Sequence, residues 1–266
     1  MNNQISNLTF ILSWSFIGIA MMITLWQGLK MDKDILISAI RAFLQLFVTG
    51  YLLQFVFNAE SYYLTAAVLL FMTIVAGRDA SKRGKGLPHA FQIVTLSIGL
   101  GEIVTLGILL LIKVISFSPS EAIPLSGMIL GNSMIAASLA LERLKSSMAQ
   151  RKNEVEALLA LGATPRQASS NALRETLRAA IIPTVDRLKT MGIVSLPGMM
   201  SGLILAGQAP TEAVKYQIIV MFMLTLTVSV TSTAIGLFAY KGYFTNYWGL
   251  KEEVIAVGSN LDKAKK

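Results

Sequence analysis

The fold class follows from residues 91–116, which read FQIVTLSIGLGEIVTLGILLLIKVIS. Glu102 and Lys113 are the only charged residues in this stretch. A helix needs about 20 predominantly apolar residues to cross the hydrocarbon core of a bilayer. The stretch is therefore predicted to be a transmembrane helix.

Apolar stretches of similar length recur along the chain. Of its 266 residues, 54% are hydrophobic and only 14% are charged, which leaves too little polar surface to cover a soluble globule. The sequence predicts an all-α, polytopic transmembrane helical bundle, with one membrane domain over residues 1–248 and a cytoplasmic, partly disordered tail over residues 249–266. The seven predicted membrane segments are residues 8–27, 35–57, 62–77, 91–116, 124–141, 191–208 and 214–240.

Two of these segments are short for a full crossing. They are residues 62–77 and residues 191–208, and the second of them contains Pro197 and several glycines. Short or Gly/Pro-interrupted segments are often tilted, broken or re-entrant. We therefore expect departures from simple spanning helices at these two places.

The positions of Lys and Arg predict the orientation of the chain. Most of the 23 basic residues fall in the connections after the first, third and fifth segments and in the tail. Cytoplasmic connections of membrane proteins carry such an excess, so the N-terminus is predicted outside and the C-terminus in the cytoplasm. The net charge of +8 then needs no nucleic-acid partner, because a bilayer surface accounts for it.

The longest polar region covers residues 142–189, on the predicted cytoplasmic side. Its apolar residues recur at helical spacing, with charged residues on the other faces. Two interpretations stay open for this region. It is either a connection held by charged lipid headgroups or a platform on which a partner protein docks.

The motifs argue against an enzyme. A P-loop needs four residues between its glycines, but six separate Gly77 from Gly84, and Gly86 stands where Ser or Thr would bind magnesium. Cysteine is absent and His89 is the single histidine, which excludes thiolate and histidine-cluster metal sites. Hydrolase and dinucleotide-binding motifs are also absent. The chain is predicted to be a transport subunit without an ATPase motif of its own.

One short pattern in the polar region points to a motor partner. Glu156, Ala157 and Gly162 match the Glu-Ala-Ala, three residues, Gly pattern with which permeases of ABC transporters contact an ATPase through a short coupling helix, although Leu158 replaces the second alanine. Gly162 is expected to end one helix and Pro165 to begin the next. The candidate coupling residues are Glu154, Glu156, Ala157, Gly162, Ala163, Thr164, Pro165 and Arg166.

Several longer blocks of the sequence are distinctive. They are Leu161–Ala168, Arg178–Asp186, Val194–Gly202 and Ala213–Gln217, with the shorter Arg41–Leu46 and Gly131–Met134. In these blocks the chain resembles one known family, the bacterial iron-export ABC transporter permeases of the FetB type, which are related to plant aluminium-tolerance permease subunits. The resemblance implies a homodimeric permease in the bacterial inner membrane, paired with a separate ATPase subunit that binds ATP and magnesium, with iron or another metal as cargo and no cofactor on this chain.

The plant relatives leave the cargo open, because the cargo proposed for them is a nucleotide sugar. Export of a nucleotide sugar or another polar metabolite is therefore the first alternative. A second alternative is a membrane channel or scaffold that works without an ATPase. Co-purification with an ATPase separates a pump from a channel.

Polar and sulfur-bearing residues inside the membrane segments are the candidates for the substrate path. Glu102 is the candidate metal contact, because a carboxylate at that depth must be paired, protonated or in contact with water. A structural ion pair between Glu102 and Arg41 is an equally weighted alternative. Thioethers near a broken helix would suit a soft metal, but they also serve as packing material. The remaining candidates are Asn132, Ser133 and Met134, for which interhelical bonding or packing is the alternative, and Met199, Met200 and Arg41.

Overall fold

The computed structural model describes residues 7–29, 31–59, 61–245 and 247–251. Within these ranges the chain is helical and contains no strand, only two isolated β-bridges. The all-α prediction is confirmed. The helices are α1 (Asn7–Leu12), α2 (Ser15–Trp26), α3 (Asp32–Ala59), α4 (Tyr62–Ser81), α5 (Ala90–Leu111), α6 (Pro119–Gln150), α7 (Lys152–Ala160), α8 (Pro165–Ala168), α9 (Ser170–Thr190), α10 (Gly198–Leu205) and α11 (Pro210–Ala239).

The chain divides into two compact units, Met1–Ser61 and Tyr62–Lys266. In the first unit, α2 packs against α3, and the Phe43 ring lies 6.0 Å from that of Phe10 and 5.7 Å from that of Trp14. The outer surface of α3 is almost entirely apolar and exposed, as expected for a helix whose solvent is lipid.

The second unit is a bundle built around α4, α5, α6 and α11. Its core holds small and branched apolar side chains, including Ile98 of α5, Ala137 of α6 and Ile235 of α11, all fully buried. Small residues let helices approach closely in a membrane, where packing replaces the hydrophobic effect as the main attraction. The same core continues to Val155, so α7 is anchored to the bundle.

Five described helices are long and apolar enough to cross a membrane. Residues 62–77, expected to be a short segment, belong to a continuous helical stretch of 23 residues, which is long enough. A further apolar helix, Phe10–Trp26, is shorter. The five are Asp32–Ala59, Tyr62–Gly84, Ala90–Leu111, Pro119–Gln150 and Pro210–Tyr243.

The sixth predicted segment does not form a crossing helix. Its helical part, α10, has 8 residues and rises about 12 Å at about 1.5 Å per residue, whereas the hydrocarbon core is about 30 Å thick. The helix begins only after Pro197, since proline fixes an extended backbone before it. Residues 191–208 therefore do not form a simple spanning helix, which is the departure that Pro197 and the glycines led us to expect.

Helix α9 is the last helix of the predicted region 142–189, and it runs along the bundle. At one end, Leu173 and Leu177 reach within 3.7 and 3.5 Å of the position that a Cβ would take at Gly236 of α11. At the other end, Met191 Sδ lies 3.9 Å from Gln217 Nε2 of α11. Because α11 rises about 28 Å between these two contacts, α9 lies antiparallel to it over most of its length.

Candidate functional site

The turn between α7 and α8 has the geometry that the sequence predicts. The Ala163 amide donates to the Leu158 carbonyl at 3.0 Å and the Gly162 amide to Leu159 at 2.9 Å, the paired bonds of a Schellman motif with Gly162 at φ +88°. Thr164 and Gln167 then form a capping box, with Pro165 in the first turn of α8. Two helix ends are thus capped within a few residues.

One face of α7 is free of contacts with the bundle. Val155 is buried in the core, whereas Glu156 and Ala157 are exposed. At the end of this face, Leu161 has 84% of its surface exposed. A face of small residues that ends in an exposed leucine is suited to contact with another protein.

A network of ionic hydrogen bonds ties α7 to α6 and α9. Arg151, between α6 and α7, bonds Glu154 of α7 at 2.6 Å and also bonds Glu175 of α9. Ser147 of α6 donates to Glu175 at 2.7 Å, and Asn171 of α9 donates to Glu154 at 2.8 Å. The Asn171 hydrogen bond, and after it the Arg151 bond, lower the pKa of Glu154. Three helices are therefore joined where the chain leaves the bundle.

The last described residues complete this surface. The chain after α11 folds back, with the Thr245 amide donating to the Gly249 carbonyl at 2.7 Å and the Lys251 amide to Tyr243 at 2.8 Å. This loop and α7 enclose an open groove of about 390 Å³. The groove is lined by Glu156, Leu159, Tyr247, Trp248, Gly249 and Leu250.

Glu102 lies among three helices of the bundle, with 6% of its surface exposed. The Thr73 hydroxyl of α4 donates to its Oε2, while its Oε1 is buried without a hydrogen-bond partner. Ser126 of α6 lies close enough to act on the same carboxyl, but its hydroxyl completes no hydrogen bond. The buried polar groups are therefore incompletely satisfied here, and Glu102 is shielded from the surroundings of the bundle.

The polar residues of α6 serve two different contacts. Thr231 of α11 donates to Ser133 Oγ at 3.1 Å. Ser133 therefore forms an interhelical hydrogen bond, which was the alternative to a place on the substrate path. Asn132 donates to the Met128 carbonyl at 2.8 Å and accepts from Arg187 Nη1 at 3.2 Å. Met134 is half-buried against the core. Asn132 is thus half-buried, like Met134, and lies next to an arginine.

The remaining candidates lie on two other helices. Met199 and Met200 are half-buried on α10, and Arg41 is exposed on α3 in the first unit. Among the described residues there is no group of three or more His, Cys, Asp or Glu side chains that could hold a metal ion. The roles proposed for these residues stay predictions, as does the pair between Arg41 and Glu102.

Three residues that make these contacts were not identified from the sequence. Thr73 carries no signal because hydroxyls in membrane helices usually bond their own backbone. Arg151 and Arg187 resembled ordinary basic residues of a cytoplasmic connection. In α9, a charged residue recurs every three to four positions. This spacing was the signal available in the sequence, but it also fits a helix face exposed to solvent.

Comparison with known proteins gives consistent matches along the whole bundle. The model of a family described as an uncharacterised protein family, UPF0014, matches residues 7–244. The chain is 40% identical to the "Probable iron export permease protein FetB" of Escherichia coli strain K12, over 92% of this chain and 95% of that protein. These residues include the blocks that carried the predicted resemblance, which is confirmed.

Two plant proteins match over nearly the same range. The chain is 37% identical to the UPF0014 membrane protein STAR2 of Oryza sativa subsp. japonica, over 90% of the chain and 84% of that protein. It is 36% identical to the protein ALUMINUM SENSITIVE 3 of Arabidopsis thaliana, over 90% and 87% of the two chains. No solved structure matches the chain.

Proposed function

The chain belongs to the UPF0014 family of multi-pass membrane proteins, and we propose that it is the membrane-spanning permease of an ABC exporter that moves iron out of a bacterial cell. In this proposal the permease works as a homodimer in the inner membrane. ATP and magnesium bind to a separate ATPase subunit, and this chain binds no cofactor.

The observation that carries the proposal is the 40% identity to a protein named as a probable iron export permease, over 92% of this chain. The match covers the membrane helices and the α7–α8 turn together. A permease without a nucleotide-binding motif needs an external source of energy. The exposed α7 face and the groove beside it offer a surface for such a motor.

The geometry supports a coupling mechanism through α7 and α8. Closure of an ATP-bound motor would displace the turn at Gly162. Because Arg151 binds both Glu154 and Glu175, the displacement would move α6 and α9 together rather than bending the connection. Rigid-body movement of packed helices is a common way to open and close a transport path.

A second candidate is export of a nucleotide sugar or another polar metabolite by the same machinery. The observation in its favour is that two plant relatives match nearly the whole chain under names that mention no iron. A channel or scaffold without an ATPase is a third candidate. It predicts a chain that is active alone and does not co-elute with an ATPase.

ATP hydrolysis by the complex in liposomes tests the proposal. The permease is reconstituted with its cognate ATPase, and hydrolysis is measured with and without ferrous iron on the ATPase side. We expect iron to stimulate hydrolysis and Glu102→Gln to remove the stimulation. Glu121→Gln is the matched control, since Glu121 is exposed near the start of α6 and its carboxylate accepts hydrogen bonds from Ser116. Hydrolysis indifferent to iron would contradict the cargo assignment.

A further inference from the structure

Three helices of the bundle bring polar groups to the Glu102 carboxyl. Thr73 of α4 is hydrogen-bonded to Glu102 Oε2, and Ser126 of α6 acts on the same carboxyl. The next residue of α6, Gly127, also faces α4, because its Cβ position lies 3.7 Å from Met72 Cε. One carboxyl and two hydroxyl groups therefore meet where α4, α5 and α6 pack together.

Two oxygen atoms of this cluster are buried without a hydrogen-bond partner. They are Glu102 Oε1 and Ser126 Oγ, on residues with 6% and 0% of their surface exposed. A third such atom, Thr95 Oγ1, lies in the same contact of α5 with α4, directly against Gly77. Buried polar atoms in folded proteins are nearly always bonded to protein, water or an ion. Their concentration at one contact points to a ligand of this cluster.

The charged residues of the neighbouring helices lie away from this carboxyl. Glu102 is the only charged residue of α5. The closest ones on α4 and α6 are Arg78 and Glu121, each five residues from the contact and exposed, which is about 7.5 Å along the helix axis. On α11, which also packs against α5, the closest is Lys215, 16 residues from Thr231. Within these helices an ionised Glu102 would have no counter-charge.

A hydrogen bond alone would not compensate that charge. Rotation of the Ser126 hydroxyl toward Glu102 Oε1 would give both atoms a partner, but the negative charge would stay buried. Ionisable side chains inside a membrane pair with an opposite charge, face water or bind an ion. A cation held against Oε1 would complete the cluster, and an ion pair with Arg41 is the competing explanation.

The groups of this cluster favour a cation with a single charge. One carboxylate neutralises one positive charge, and a divalent ion would leave a buried charge uncompensated. Carboxylate and hydroxyl oxygens suit hard cations rather than soft metals. In the part of the chain that the structure describes, no group of three His, Cys, Asp or Glu side chains could hold a metal ion. A proton and an alkali ion share the required charge.

We propose that Glu102, Thr73 and Ser126 form a binding site for one monovalent cation, a proton or an alkali ion, in the closed bundle. A proton on Oε1 would be donated to Ser126 Oγ, whereas an alkali ion would be bound by Oε1 and Ser126 Oγ together. In both cases Thr73 continues to donate to Oε2, and both unpartnered atoms gain a partner. The site is enclosed, so the ion enters and leaves when the three helices move apart.

The site would give metal export a counter-ion, and this part rests on the proposed function. When the helices separate, the monovalent ion leaves Glu102, and the carboxylate becomes free to contact the cargo. When they close again, a monovalent ion returns, so the carboxylate is not buried as an unpaired charge. Each cycle would exchange cargo for a proton or an alkali ion.

Ion binding is tested on the intact complex at neutral pH without any cargo. One arm measures the infrared C=O band of a protonated carboxyl in choline buffer free of alkali ions, as the difference between the wild type and Glu102→Gln. The other arm measures the melting temperature when sodium or potassium chloride replaces choline chloride at constant ionic strength, because a ligand that binds only the folded state raises it. We expect a signal in at least one arm, and the arm identifies the ion.

Two further variants make these measurements specific. Glu121→Gln is the matched control at an exposed carboxylate and should keep the signal that Glu102→Gln abolishes. Ser126→Ala should shift the C=O band to higher frequency, or weaken the affinity for the alkali ion severalfold, which a loss of packing alone would not do.

Three results would overturn the site. The first is an ionised Glu102 in a complex that responds to neither sodium nor potassium. The second is a melting temperature raised by ferrous iron and by no monovalent ion. The third is a Glu102 carboxyl that becomes protonated only in Arg41→Gln, since this would identify an ion pair between the two residues.

The exchange is tested in liposomes that contain the permease and its ATPase. Ferrous iron is transported with ATP while dyes in the lumen report pH and the alkali ion. We expect ion movement opposite to iron, lost in Glu102→Gln and kept in Glu121→Gln. Iron transport without such movement would overturn the exchange but not the site. No iron transport at all would contradict the proposed function, and the binding measurements would still decide whether the site exists.

Discussion

Thr73 is the residue on which the buried carboxyl of Glu102 depends. Its hydroxyl donates to Glu102 Oε2 and also lies 2.8 Å from the Leu69 carbonyl. Burial of a carboxyl costs desolvation free energy, and this cost is no longer offset when the hydrogen-bond donor is lost. The contact between α4 and α5 is therefore both a packing contact and a polar one.

Substitution of Thr73 by Val tests this dependence. Valine keeps the shape of threonine but cannot donate, so we expect Thr73→Val to destabilise the protein by about 1–3 kcal/mol. Thr95→Val is the control, because the Thr95 hydroxyl is buried without a partner and its loss should be neutral or stabilising. Thermal unfolding of the purified variants measures both changes. Equal melting temperatures for the two variants would contradict the account.

Glu154 predicts a pH dependence on the cytoplasmic side. The hydrogen bond from Asn171, followed by that from Arg151, lowers its pKa from the ordinary value of 4.5. A depressed pKa adds stability that is complete above the ordinary value and is lost as the pH falls through the lowered one. We expect the melting temperature of the wild type to exceed that of Glu154→Gln at pH 7 and the gap to narrow below about pH 4.5. A gap that stays constant down to about pH 3 would argue against these bonds.

The sequence identifies some of these residues and not others. Glu102 is visible because a carboxylate in an apolar helix is costly wherever the helix packs. Its partner Thr73 is not, because the vertical register of α4 against α5 is set by side-chain packing over the whole interface. For the same reason, Ser133 is recognisable as polar, but the sequence does not reveal that it bonds Thr231.

At the scale of elements, the turn after α7 depends on a single backbone conformation. Gly162 has φ +88° and nothing lies within 4 Å of the Cβ position, so Gly162→Ala would suffer only the left-handed backbone penalty of about 1 kcal/mol. We expect ATP hydrolysis of the complex to become less dependent on cargo, because the turn frays. Gly131→Ala is the control, with equal space but ordinary helical backbone. An unchanged cargo dependence in Gly162→Ala would show that the turn does not transmit movement.

The packing of α5 against α11 depends on another glycine. A Cβ at Gly101 would lie 2.3 Å from Thr231 Oγ1, and Thr231 is held by its bond to Ser133. Overpacking of this kind costs about 1–3 kcal/mol. We expect Gly101→Ala to lower the melting temperature and Gly107→Ala, with nothing within 4 Å of its Cβ position, to leave it unchanged or raise it. A tolerated Gly101→Ala would mean that the two helices pack less closely than described.

Elements with clean apolar composition were predictable, and elements of mixed composition were not. The five long helices can be predicted from their hydropathy, because residues exposed to lipid must be predominantly apolar. Helix α9 escaped recognition as part of the bundle because its charges resemble those of a cytoplasmic helix, and only its contacts with Asn132 and Gln217 reveal its depth. Residues 191–208 are apolar but interrupted by Pro197. An apolar composition alone does not reveal how long a helix is.

At the scale of the whole molecule, the membrane bundle and the turn beside it differ in how they are packed. The bundle around Glu102 is closed and tightly packed. The α7–α8 turn presents an exposed surface that is tied to α6 and α9. Under the proposed function, a partner bound at this turn would move α6 and α9 together.

The most direct test of this account is ATP-dependent transport by the complex in inside-out vesicles. Radioactive iron is supplied as the ferrous ion and, separately, as its citrate complex, and accumulation in the vesicles is measured. The account predicts accumulation that requires both ATP and the ATPase subunit. Accumulation that proceeds equally without ATP, or with this chain alone, would contradict the central claim and identify a passive channel.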